Sequence, residues 1–333
     1  SDLAAGTPVS VGGIDLAVGA VGVGCIRPGD FADVTGSALC TMAMTDRIVL
    51  DPDGEMPCYC SAVPGMYMIH AYASGGICLR WYRDVFRGAL QDKDRDAGGT
   101  FGMAEQEEAR EENDQINRIK KNGAACGADR VGAFPESNDK MVPERNGRTV
   151  PEINDYDRMD LLAADCPPGA EGLLALPHLT GSGPPDLCPQ MKGMLVGLTT
   201  AHGQKHILRA FMEGVAMILC RILEATEKLG IRPARIVCLG GGAKSKVWCQ
   251  IKADAAGREV VTTDGYENAG CLGAAMLAGT AAGIFPSLEE AVEKLVREDR
   301  HYLPDAACAP VYNALLERYR TLMQCLLPVF ENW

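Results

Sequence analysis

Three glycine-bearing segments frame groups that could handle a phosphorylated ligand. The first is Val11-Gly12-Gly13-Ile14-Asp15-Leu16-Ala17-Val18-Gly19-Ala20-Val21-Gly22, in which one carboxylate stands among small and apolar residues. Asp15 there could accept the proton of a reacting hydroxyl, and it could equally cap a helix that begins at Leu16. The second is Asp33-Val34-Thr35-Gly36-Ser37-Ala38. Backbone amides and the Ser37 hydroxyl could donate to phosphate oxygens, although a plain hairpin turn explains the same residues. The third is Gly240-Gly241-Gly242-Ala243-Lys244-Ser245, after the apolar run Ile236-Val237-Cys238-Leu239. Glycines between a strand and a helix expose N–H groups, and the helix start adds partial positive charge. The spacing fits neither the Walker A loop nor G-x-G-x-x-G, and a bare strand-to-helix turn accounts for it as well.

Other chemistries find little support. His202 and His206 have i, i+4 spacing but no H-E-x-x-H motif or cysteine cluster beside them, so they read as a polar helix start rather than a metal site. No G-x-S-x-G suggests a nucleophile elbow. Fourteen cysteines are scattered without C-x-x-C pairs, many in apolar runs, which reads as free thiols, no zinc and a reducing cytoplasm. The net charge of −12 argues against nucleic acid and anionic membrane surfaces as partners. No apolar run is long enough to span a bilayer, and 47% apolar residues suffice for a large core.

The elements that must position these groups follow from periodicity. Residues 1–86 read as short strands and turns with a helix over about 67–82. From about 88 to 150 charge is dense and apolar residues are sparse, which predicts a solvated insertion with one helix near 103–121. Residues 172–177 read as a buried strand. Ile207, Leu208, Phe211, Met212, Val215, Ile218, Leu219, Ile222 and Leu223 fall at helical spacing within 204–229, with Gly230 as the stop. A strand over 235–239, a helix over 245–256, a strand over 259–262, a helix over 267–281, a capped helix starting at Ser287 and a terminal helix from Pro310 follow. Alternating strands and helices predict an α/β fold.

In order, these segments resemble the FGGY carbohydrate kinases, xylulokinase-like members in particular. Gly13-Ile14-Asp15 with Gly19-Ala20-Val21-Gly22 is similar to that family's catalytic-aspartate segment. Gly36-Ser37-Ala38 is similar to its Gly-Thr-Ser/Ala turn facing the ATP phosphates. Residues 240–245, with Trp248, Gln250 and Ala253-Asp254, resemble its adenosine-binding segment, and the stretch from Glu267 and Asn268 to Ala275 resembles the element closing the adenine pocket. Gly193-Met194-Leu195-Val196-Gly197-Leu198 with the 206–214 stretch, and Ser74-Gly75-Gly76 through Asp84, extend the match across nearly all the chain except 88–150.

The resemblance implies a ribonuclease H-like, actin-type ATPase fold, the C-terminal half of a two-domain sugar kinase. Residues 1–24 would end the N-terminal domain and carry the catalytic Asp15. Residues 25–333 would be the C-terminal ATP-binding domain, with the polar insertion at about 88–150. The missing N-terminal kinase domain, which in the family holds an Asp-x-Gly-Thr phosphate loop and most sugar contacts, becomes an expected partner, and the uncovered interface favours self-association, for instance as a homodimer. The resemblance further implies ATP and Mg²⁺ as cofactors and a small-molecule sugar as substrate, foremost a ketopentose such as D-xylulose. Gly36, Ser37, Gly240, Gly241, Gly242, Ala243, Lys244 and Asn268 would bind the nucleotide. The alternatives are a nucleotide-binding module without transferase activity and a kinase for glycerol, gluconate, ribulose or a signalling sugar. Where the family has Gly-Glu-Arg-x-Pro, this chain has Gly181-Ser182-Gly183-Pro184-Pro185, which removes a charged pair near the cleft.

Overall fold

A computed structural model describes residues 6, 7, 9–92, 141–143, 149–151 and 154–331. The elements are α1 (Asp15–Gly22), β1 (Phe31–Thr35), β2 (Ala38–Thr45), β3 (Cys58–Cys60), β4 (Tyr67–Ser74), α2 (Ile77–Asp92), β5 (Met141–Pro143), β6 (Thr149–Pro151), α3 (Asp155–Ala164), β7 (Leu174–Leu176), β8 (Met194–Val196), α4 (Gln204–Lys228), β9 (Arg235–Leu239), α5 (Lys246–Ala256), β10 (Glu259–Thr263), α6 (Ala269–Ala281), α7 (Leu288–Leu295), β11 (Glu298–Tyr302) and α8 (Ala309–Glu331). The chain divides into two units, residues 1–81 with 156–333, and residues 82–155. The described part of the smaller unit contains the antiparallel pair of β5 and β6, from Met141↔Pro151 to Pro143↔Thr149. The helix expected near 103–121 lies outside the described residues.

In the larger unit a seven-stranded sheet has the order β11-β10-β9-β1-β2-β4-β3. One half is an antiparallel meander, β1 on β2 and β2 on β4. Beyond it β9 lies parallel beside β1 and β10 parallel beside β9, and β11 closes that edge antiparallel to β10. Strand alternation gives the sheet two buried faces. Ala32, Met42, Met44, Met68, Val237 and Leu239 join one apolar cluster with Ala17, Ala20 and Val21 of α1 and Met276 of α6. Asp33, Thr35 and Cys238 alternate to the opposite face, which α5 covers.

The helix expected over 67–82 is instead strand β4, a glycine pair and the start of α2. Residues 67–74 alternate imperfectly between buried and exposed and pair along the length of β2, from Thr45↔Tyr67 to Ala38↔Ser74. Sheet pairing outweighs the apparent helical spacing, and Gly75-Gly76 divides the two elements. Several stops fall as expected. Gly230 follows α4 at φ +86° and Gly257 follows α5 at φ +60°, while Ser287 caps α7 by accepting from the Glu290 amide at 3.2 Å. Strand β11 carries no strand signal in its sequence. Its Glu298-Asp299-Arg300-His301-Tyr302 composition is that of a solvated edge. Helix α4 is buried on nearly all sides rather than on one face, with Arg209 and Glu213 paired inside it at 2.8 Å. The His202 and His206 rings accept from the Thr199 and Gly203 amides, each at 2.9 Å, so they do finish a helix start. The described cysteines are free thiols.

Candidate functional site

Gly36-Ser37 forms the two-residue connection between β1 and β2, closed by the Gly36 amide donating to the Ala38 carbonyl at 2.8 Å. The carbonyls of Gly36 and Ser37 accept from the Gly76 and Ile77 amides, both at 2.9 Å. This explains the glycine pair before α2, since a Cβ on Gly76 would lie 2.5 Å from the Gly36 oxygen. The turn thus spends its carbonyls on α2. Among the described residues the exposed Ser37 amide and hydroxyl have no partner.

Strand β9 runs parallel to β1 with Val34 opposite Leu239, so both strands end at one edge of the sheet. There Gly240, at φ +78°, turns the chain into a short 3-10 segment, Gly241–Lys244. Gly242 is buried against Thr35, whose Cβ would be 2.7 Å from a Cβ on Gly242. Gly241 is exposed, with nothing within 4 Å of an added Cβ. The two glycine turns therefore meet over Thr35 and leave open space above them.

Ser245 closes the second turn and caps α5. Its hydroxyl oxygen accepts from the Trp248 amide at 3.1 Å and donates its proton to Asp160 Oδ1 at 2.8 Å. Burial pushes the Asp160 carboxyl up to about 7, with the Ser245 bond pulling it down and Asp157 pushing it further up. Lys244 Nζ reaches Glu267 at 2.5 Å, which ties the 240–244 turn to the segment holding Asn268. Asn268 is exposed at the start of α6 and makes no side-chain capping bond.

Asp15 opens α1 rather than preceding it. The cap position belongs to Ile14, and Asp15 Oδ1 accepts only from the adjoining Leu16 amide, at 2.9 Å, among the described residues. The helix-capping alternative is thereby corrected, and the carboxylate is exposed. Helix α1 packs against β2, and burial, Asp33 and Asp15, in that order, push the Cys40 thiol up to about 11. Helices α1 and α6 run antiparallel in close contact. A Cβ on Gly22 would lie 1.8 Å from the Ala269 oxygen, and one on Gly273 1.9 Å from the Val18 oxygen. Asp15 and Asn268 therefore sit at opposite ends of α1, a helix about 12 Å long at 1.5 Å per residue. The structure sets the 240–244 turn against Thr35, next to Gly36-Ser37, ties it through Lys244 to Glu267, and keeps Asp15 one helix length from Asn268.

The sequence presents Asp33 and Thr35 only as neighbours of the Gly36-Ser37 turn and singles out neither Lys252 nor Asp160. A signal was present: Asp33 interrupts an apolar strand, and Lys252 stands one turn after Trp248 on the buried side of α5.

A mixed sheet with two parallel pairings at its centre and glycine turns at the ends of β1 and β9 has the actin-like α/β fold of the sugar kinases it resembles. The chain belongs to the FGGY family of carbohydrate kinases, since residues 32–282 match its profile, described as the FGGY family of carbohydrate kinases, C-terminal domain. Over 156 residues it is 37% identical to the xylulose kinase of Bacillus subtilis, covering 47% of this chain and 31% of that one. It is 28% identical to the gluconokinase of Bacillus licheniformis over 321 residues, 96% of this chain and 52% of that one. The crystal structure of xylulose kinase from Rhodospirillum rubrum is similar at a TM-score of 0.70 and 25% identity, covering 99% of this chain and 54% of that chain. The chain spans about half the length of that structure and of the gluconokinase. Among the described residues no helix is long and apolar enough to cross a membrane.

Proposed function

We propose that this chain is the nucleotide-binding half of an ATP-dependent sugar kinase, which transfers the γ-phosphoryl group to a sugar hydroxyl. The observation that carries the reading is the meeting of the Gly36-Ser37 and 240–245 turns over Thr35, with unbonded donors at Ser37 and open space at Gly241. In this reading residues 1–24 end the N-terminal domain, and residues 25–333 form the ATP-binding domain around an insertion at about 88–150. The leading acceptor is a ketopentose such as D-xylulose, on the strength of the 37% identity to a xylulose kinase.

Each residue has a task in that reaction. Ser37 donates its amide and hydroxyl to phosphate oxygens, and the backbone at Gly240, Gly241, Gly242 and Ala243 approaches the nucleotide closely. Lys244, held by Glu267, and Asn268 border the nucleoside end. Asp15, at the far end of α1, accepts the proton of the attacking hydroxyl. This separation suits an extended nucleotide whose terminal phosphate points toward Asp15. Among the described residues no group of three or more His, Cys, Asp or Glu side chains could hold a metal alone. Mg²⁺ would be held by water and substrate phosphates, with the exposed Asp15 as the nearby carboxylate. When bound, Mg²⁺ would supply positive charge that offsets the charge of the phosphates.

The test is sugar-dependent ADP formation by the full-length protein with Asp15 intact and with Asp15→Asn. Loss of about 10²-fold or more in turnover is expected from removing a general base, with Mg-ADP affinity kept. Full turnover in the variant would remove Asp15 from the mechanism.

A further inference from the structure

We propose that Lys252 is a positioning residue that locks the two glycine turns to one another through Thr35, so that the nucleotide meets a preformed site. The proposal rests on the nucleotide reading of those turns. Lys252 and Asp33 are buried, with side chains 1% and 0% exposed. A buried ion pair costs desolvation, and apolar residues of similar volume often stabilise a core as well or better. Its presence beneath the two turns therefore calls for a role in specifying geometry.

The bonds supply one. Lys252 Nζ donates to Asp33 Oδ2 at 2.6 Å and to Thr35 Oγ1 at 2.8 Å, and lies 5.0 Å from the Trp248 ring centroid. The Thr35 hydroxyl in turn donates to Asp33 Oδ1 at 2.6 Å, and the Cys238 thiol donates to Asp33 Oδ2 at 3.2 Å. Thr35 Oγ1 thus accepts from one partner and donates to another, which fixes a β-branched side chain in one rotamer. In that rotamer the Thr35 methyl lies under the second turn, 2.9 Å from where a Gly242 Cβ would be. Thr35 also immediately precedes Gly36-Ser37. Lys252 belongs to α5, whose cap, Ser245, ends the second turn. The chain of contacts closes on itself: turn, α5, Lys252, Thr35, turn.

Three variants of the 333-residue chain test this: Lys252→Met; the double substitution Asp33→Leu with Lys252→Met, which leaves no unpaired charge; and Thr35→Val, which keeps the shape and removes the shared hydroxyl. Amide hydrogen exchange in the ligand-free chain is expected to rise about tenfold at residues 36–37 and 241–245 in all three, with β2 and β4 unchanged. Mg-ADP affinity, measured by calorimetry, is expected to fall about tenfold through lost preorganisation. A merely structural pair would instead give a double variant with wild-type melting, wild-type exchange at 241–245 and wild-type affinity, which overturns the proposal. Should Lys252→Met not fold, the other two variants carry the test. Faster exchange in the variants of a chain that does not bind Mg-ADP would uphold the coupling and overturn the nucleotide reading.

Discussion

Gly242 rests directly on Thr35: a Cβ at position 242 would lie 2.7 Å from the Thr35 Cβ and 3.1 Å from its carbonyl oxygen. The second glycine turn has no room to settle against β1 with any larger residue. Gly242→Ala is therefore expected to destabilise the chain by about 1–3 kcal/mol through overpacking. Urea unfolding measures it, and an unchanged midpoint would show that the turn yields at no cost.

The antiparallel contact of α1 and α6 is equally close, made by Gly22 on Ala269 and Gly273 on Val18. Gly273→Ala would push the helices apart and disturb the approach that sets Asp15 and Asn268 at opposite ends. A loss of about 3 kcal/mol, at the upper end of overpacking costs, is expected. The exposed Gly270, whose added Cβ meets nothing within 4 Å, provides the control. Gly270→Ala should leave the unfolding midpoint unchanged or raise it slightly.

Asp160 makes stability pH-dependent. Its folded carboxyl titrates near 7, chiefly because of burial, whereas an unfolded aspartate titrates near about 3.9. Between those values the folded chain keeps a proton that the unfolded chain has lost. The contribution is full below about pH 4, is lost as pH rises toward 7, and is constant above. Asp160→Asn keeps an acceptor for Ser245 and cannot ionise. Its stability relative to wild type is expected to climb from pH 4 to 7 and then level off, followed by urea midpoints across that range. A difference that stays flat with pH would mean that Asp160 titrates normally.

Much of this architecture could be read from local chemistry. The apolar run into Gly240, the serine cap at 245 and the glycine stop at 257 gave β9, the turn and α5 nearly to the residue, because each signal acts within a few positions. Strand β4 could not be read that way. Tyr67–Ser74 carries apolar residues at spacings that suit either period, and only its partner β2 decides. The site divides similarly. Glycine turns are visible because close approach demands glycine, while their meeting over Thr35 depends on β1 and β9 being neighbours across some 200 residues of chain. The Asp33–Lys252 pair is invisible for the same reason, since each charge alone looks like an isolated polar residue in an apolar element.

The most direct measurement is a calorimetric titration with Mg-ADP of the wild-type chain and of Gly241→Arg. An added Cβ at 241 meets nothing within 4 Å, so the variant should fold and melt as the wild type does while its side chain fills the space above the turns. Saturable binding by the wild type, lost in a variant of unchanged stability, is the expected result. Equal binding by both chains would show that the nucleotide does not occupy the 240–245 turn and would contradict the account.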